Sequence, residues 1–226
     1  MKTEPRGIVK LTIDLGYLLV FGLKLQLLWL WFTIRGFVVL GFFPALASCA
    51  KLLIRRLTRT DDWHDRFAGS DERFAPLYQE FRNFYQASFW EFNGISYLGA
   101  ILMALLLVDF AVNRSFLHST WLQYGLIVLL AMTLIYWLYI LTIYARYQLT
   151  FWQYFRQAWI ISIAKFSNTL AIALGIVLIT ALIVLFPVLS IIALIPLYLT
   201  PLIWFSYRSC LFVEAFISQQ DVTNLD

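Results

Sequence analysis

The stretch Phe81–Asn93, FRNFYQASFWEFN, decides the fold. Leading into it and through it, Phe74, Leu77, Tyr78, Phe81, Phe84, Tyr85, Phe89 and Phe92 recur at steps of three and four residues. Gln79, Glu80, Arg82, Asn83, Gln86 and Glu91 fall on the other side. On a helical wheel the apolar set covers an arc of about 140°, as expected for an amphipathic helix of 3.6-residue period. Asn93-Gly94 then predicts a bend, and Ile95–Val112 is apolar over a length that suits a membrane crossing. The pattern predicts an elbow helix in the membrane interface that feeds a transmembrane span. A weaker echo, Phe155–Asn168, FRQAWIISIAKFSN, precedes a second span, with Arg156 near the apolar face and obliged to snorkel. Each copy has Phe-Arg, then ten or eleven residues, then Asn opening a span. This is either an internal repeat or two units that arose separately.

The rest of the chain supports a membrane setting. Its 226 residues are 62% hydrophobic and 13% charged, whereas a soluble domain carries roughly 25% charged residues and about half apolar ones. Long apolar runs account for the excess, so the class is an all-α polytopic membrane protein of one bundle. Residues 15–53 predict a helical hairpin. Its second arm, Phe37–Leu53, is short, contains Gly41 and Pro44, and is either a return helix or a re-entrant segment. Residues 54–92 predict a solvated loop, rich in Arg and Asp, followed by the first elbow. A helix pair at 93–144, a second elbow at 146–167 and a helix pair at 168–207 follow. The last pair is broken at Pro187 and interrupted by Pro196 and Pro201. A polar tail occupies 208–226. The sum is about six transmembrane helices and two amphipathic elbows.

Charge fixes the expected orientation. With the N-terminus inside and six crossings, Lys2, Arg6, Lys10, the seven basic residues from Lys51 to Arg82, Arg146, Arg156, Lys165 and Arg208 all lie inside. Only Arg35 and Arg114 lie outside, and Lys24 is within a span. This is the positive-inside distribution, and it puts both termini and both elbows in the cytoplasm. Trp121 at an outer end and Trp90, Trp152 and Trp204 near inner ends fit aromatic belts.

Few residues point to chemistry. Lys24, with Gln26 beside it, is an ionisable group inside a span, which either meets a ligand or partner or snorkels to an end. Arg35 is the tip of the first hairpin. Gly41, Pro44, Pro196 and Pro201 are helix breaks, which permit packing and bends and in transporters line binding sites. Arg55, Arg56, Arg82, Glu91, Asn93 and Arg156 make a candidate cytoplasmic docking surface. Asp61, Asp62 and Asp65 sit among arginines as a self-neutralised loop, and His64 and His118 fall on opposite sides of the membrane. No HExxH, GxSxG, Walker or dinucleotide-binding pattern occurs, so no enzyme, cofactor or metal site is expected. The basic-aromatic elbows lead straight into spans and so suit lipid, with no nucleic acid implied. Leu46-Ala47-Ser48-Cys49 has the form of a lipoprotein cleavage site, but it follows two apolar segments, and Cys49 is expected to be a buried small residue. Cys210 is the other cysteine, with no CxxC pattern.

Leu27-Leu28-Trp29-Leu30, then Gly41-Phe42-Phe43-Pro44-Ala45-Leu46-Ala47, then the basic run from Lys51 to Arg56, then Phe81-Arg82-Asn83-Phe84 running to Trp90 form an ordered series. The series resembles the YesL-like family of small multi-pass membrane proteins of Gram-positive bacteria over roughly residues 15–100. Gln26 stands where that family often has Asn, and two Phe residues separate Gly41 from Pro44. The resemblance implies no assigned catalytic residue. It implies an accessory component of oligosaccharide import, working beside an ABC permease in the bacterial cell membrane. A small solute transporter or channel, with Lys24 and the broken spans lining a path, and a membrane scaffold or assembly factor are the alternatives. The ligand and the oligomeric state are not legible.

Overall fold

Proline has no N–H to offer the carbonyl four residues back, so a helix that contains one leaves that carbonyl open. The computed structural model, which describes the backbone of residues 8–59 and 74–223, shows how this chain closes the gap at Pro44. The carbonyl concerned is that of Leu40, and the Asn93 side-chain amide donates to it at 2.9 Å. One turn along, the Tyr97 hydroxyl donates to the Val39 carbonyl at 3.0 Å. These contacts join α2 (Val39–Arg59) to α3 (Phe74–Val112). The remaining helices are α1 (Ile8–Arg35), α4 (Thr120–Arg146), α5 (Phe151–Ala164), α6 (Phe166–Leu185) and α7 (Val188–Thr223). A π-turn, Asn113–Leu117, closes α3. Among the described residues the chain is all helical.

Four stretches are long and apolar enough to cross a membrane: Phe74–Leu117, Thr120–Arg146, Phe166–Leu185 and Val188–Phe216. The protein is therefore a helical membrane protein by length and composition. The expected count is six, and α2 is not among the four for a plain reason. Every 18-residue window in it holds at least three of Lys51, Arg55, Arg56 and Arg59. The N-terminal half of α1 lies largely outside the described side chains.

α2 is the hub of the bundle and packs on α1, α3, α4 and α7. Ala45, Ala47, Ser48, Cys49 and Ala50 are fully buried, so the middle of α2 is enclosed by its neighbours while its cations lie toward the C-terminal end. Three expectations change here. Phe37–Leu53 is not a short segment, since it belongs to one helix that runs from Val39 to Arg59 without a break. Pro44 does not interrupt it. The loop expected from Ile54 is helical for its first six residues, with Ile54, Arg56 and Leu57 buried. Residues 60–73, with Asp61, Asp62, His64 and Asp65, lie outside the described residues.

The amphipathic stretch also serves differently from expectation. Leu77, Phe81, Tyr85 and Phe92 are buried. Phe32 of α1 meets Tyr78, Phe81 and Tyr85 with ring centroids 5.5, 5.0 and 5.0 Å apart. The apolar stripe thus faces the first hairpin and the C-terminal end of α4. No bend occurs at Asn93-Gly94; α3 is one helix of 39 residues, about 58 Å long. The second stretch does break. α5 and α6 are separate helices with Lys165 between them at φ −131 and ψ 67. Asn168, which follows the break, donates to the Phe205 carbonyl at 3.1 Å and the Ser209 hydroxyl at 2.9 Å. Both echo asparagines therefore tie neighbouring helices together.

α7 departs from its expected form at both ends. Its break falls at Ala193 (φ −151, ψ 36), three residues before Pro196, and helix continues through Pro201. The segment past Tyr207, expected as a polar tail, is helix to Thr223 and fully buries Ser209 and Cys210. Pro187 separates α6 from α7 as expected. Cys49 and Cys210 are both buried free thiols. Beyond the core, apolar side chains of α3 after Leu98, of α4 before Leu134 and of α6 are largely exposed; these faces suit lipid.

Asn93→Leu tests the tie between α2 and α3. It removes the donor to the Leu40 carbonyl, and the expected loss is about 1–3 kcal/mol, the cost of an unsatisfied buried polar group. Thermal unfolding in detergent reads it, and an unchanged midpoint would refute the assigned role.

Candidate functional site

One proline position and one helix break in this bundle are met by side-chain amides, and this settles the place of several candidate residues. The break at Ala193 exposes the N–H groups that open the second part of α7, as at any helix start. The Gln26 side-chain oxygen accepts from the Ile195 N–H at 3.0 Å. Gly22 lies one turn away, where an added Cβ would stand 3.5 Å from Ala193 and 3.6 Å from Pro196. Gln26 is buried and acts as a cap for α7. Lys24, half-buried, lies on a different side of α1. Arg35 is exposed at the last turn of α1. The break itself lines a small apolar cavity of about 210 Å³, formed by α1, α2, α6 and α7 and including Pro196 and Pro201.

The first hairpin turns at Gly36, followed by Phe37 and Val38 at φ 60 and 61, a left-handed conformation unusual for a β-branched residue. Gly41 permits it. A Cβ there would stand 2.5 Å from the Thr33 carbonyl oxygen and 2.8 Å from that of Phe32.

The polar site is elsewhere. A cavity of about 530 Å³ opens between the C-terminal half of α2, the polar side of α3, the end of α4 and the turn into α5. Lys51 lines it, with its Nζ 4.8 Å from the centroid of the Tyr144 ring and 5.6 Å from that of Phe84. Tyr144 donates to Glu91 Oε2 at 3.2 Å. The other cations of the wall are paired. Arg55 forms a salt bridge with Glu80. Arg146 makes a forked contact with Glu214, Nη2 to Oε1 at 2.9 Å and to Oε2 at 2.7 Å. The Tyr147 hydroxyl also donates to Glu214. Burial, and then that bond, push the Tyr147 hydroxyl above the ordinary tyrosine range. Tyr154 is raised as well, by burial first, while the Leu149 N–H bonded to it pulls the other way. Both hydroxyls are neutral donors at ordinary pH. The turn is held by short-range bonds: Leu149 N–H to the Tyr154 hydroxyl at 3.1 Å, and Thr150 N–H to the Gln153 side chain at 3.1 Å.

The candidate docking residues separate accordingly. Arg55 and Glu91 reach the cavity. Arg56 points away from it and lies over the Phe21 ring at 3.9 Å. Asn93 is in the core, and Arg82 and Arg156 are exposed on α3 and α5. The sequence does not mark Lys51, Tyr144, Tyr147, Tyr154, Arg146 and Glu214 as site residues. Lys51 gave one signal, a lone cation between Ala50 and Leu52 in an apolar run.

Fold and cavity together define a helical membrane protein with a charged aromatic site at one end of its bundle. Residues 23–110, from α1 through most of α3, match the model of a family described as "Protein of unknown function, DUF624". No curated protein and no solved structure matches the chain.

Proposed function

We propose that this chain is a non-catalytic accessory membrane protein of oligosaccharide import, which associates with the permease subunits of an ABC importer. The reading includes YesL-like character and a Gram-positive cell membrane, with six crossings (α1, α2, α3, α4, α6 and α7) and both termini cytoplasmic. The observation that supports it best is the 530 Å³ cavity, which is walled by Lys51, Arg55 and Glu91. An open, charged recess at one end of a bundle is suited to receiving a ligand or a segment of a partner.

The geometry speaks less for a transport path. Gln26 is engaged as a helix cap, and the cavity at the broken spans is lined almost wholly by apolar side chains. Co-purification in mild detergent, from cells expressing the neighbouring importer genes, tests the proposal. Recovery of permease subunits is expected, and recovery of none would overturn it. Sugar or ion flux in liposomes that Lys24→Ala abolishes would favour a transporter instead. For orientation, a cysteine placed at Ser70 should resist labelling from outside intact cells.

A further inference from the structure

We propose that the Lys51 cavity binds the headgroup of an anionic phospholipid, one that carries a phosphodiester and free hydroxyls, as phosphatidylglycerol does. This is independent of the importer reading and needs only the bilayer. Three observations converge on it. First, among the described residues no carboxylate comes within ion-pair distance of Lys51, whereas Arg55 and Arg146 are held by Glu80 and Glu214. Lys51 is thus the wall cation without an ion-pair contact, with Glu91 acting on it only at longer range, and its ammonium, already set against two rings, is partly withdrawn from water. Second, Glu91 stands nearby with one oxygen bonded to Tyr144. It disfavours a bare anion and rewards a ligand whose hydroxyls can donate to it. A phosphodiester with a glycerol end meets both demands, with the phosphate on Lys51 and the diol toward Glu91.

Third, the mouth is at membrane-surface depth. α5 joins the ends of two apolar helices, α4 and α6, and exposes Trp152 and Trp159, while Trp90 is exposed on α3. Exposed tryptophans mark the headgroup level, and basic pockets between helices on the cytoplasmic side collect anionic headgroups.

The test uses the full chain, purified in mild detergent and stripped of lipid, with lipid retention read by native mass spectrometry. Phosphatidylglycerol is expected to be retained and phosphatidylcholine not. Lys51→Gln should weaken phosphatidylglycerol retention about tenfold, the scale of one hydrogen bond to a charged group. Lys51→Arg should preserve it, and Arg82→Gln, which removes an exposed cation outside the cavity, should leave it unchanged. Equal retention of phosphatidylcholine, or an equal loss in Arg82→Gln, would reduce the binding to general surface charge and overturn the proposal. Displacement of the lipid by millimolar glycerol phosphate or inorganic phosphate would assign the site to a soluble phosphate and overturn the lipid assignment. If Lys51→Gln does not fold, Lys51→Arg carries the test, since loss of the preference for phosphatidylglycerol over phosphatidylcholine in that variant sinks the proposal.

Discussion

Gly41→Ala is expected to destabilise the protein by about 3 kcal/mol, the upper end for overpacking a tight site. The added methyl would stand 2.5 and 2.8 Å from the carbonyl oxygens of Thr33 and Phe32 and 2.9 Å from the Cα of Gly36. All three are backbone atoms of the partner arm or the turn, so no side chain can rotate aside. The arms must separate. Gly125 is the control, because a Cβ there has nothing within 4 Å. On helix propensity alone Gly125→Ala gains up to about 1 kcal/mol. Thermal unfolding of both variants in one detergent gives the comparison. Equal midpoints for the two would refute the close-packed hairpin.

The second large effect concerns Gln26. Gln26→Leu keeps the volume and removes the acceptor for the Ile195 N–H, in a part of the bundle away from water. An unsatisfied backbone group in hydrocarbon costs several kcal/mol, and relaxation of the break brings the expected loss to about 2–4 kcal/mol. The readout that isolates the cause is hydrogen exchange around residues 194–197, which should quicken relative to the rest of α7. Lys24→Leu, two residues away, should not quicken it. If Gln26→Leu unfolds normally and exchange at the break is unchanged, the capping role is wrong.

Much of this architecture is legible in the sequence because it follows from periodicity. The three- and four-residue spacing of Phe74 to Phe92 gives the helix, and the apolar lengths after Ile95, Trp121 and Asn168 give the membrane setting. Pro187 gives the last turn. What periodicity does not carry is the identity of the surface that an apolar stripe meets. Lipid and another helix demand the same pattern, so Phe81 and Phe92 are equally consistent with an interfacial elbow and with the core they occupy. Charge misleads in a similar way. Arg55 and Arg56 read as the start of a loop, yet one is paired with Glu80 and the other lies over Phe21, and both belong to helix. The site is less legible still, since its bonds span long separations: 68 residues from Arg146 to Glu214, 53 from Tyr144 to Glu91, and 169 from Gln26 to Ile195. Nothing local in those residues names the partner.

The repair of Pro44 by Asn93 has a consequence for synthesis. The ribosome releases α2 well before α3, so for an interval the Leu40 carbonyl is open and the cations of α2 lack their acidic neighbour Glu80. A nascent chain stopped between these helices lacks the α3 groups that meet the Leu40 and Val39 carbonyls and Arg55. An N-terminal fragment is therefore expected to hold these helices together only when it extends past Tyr97, whose hydroxyl bonds the Val39 carbonyl.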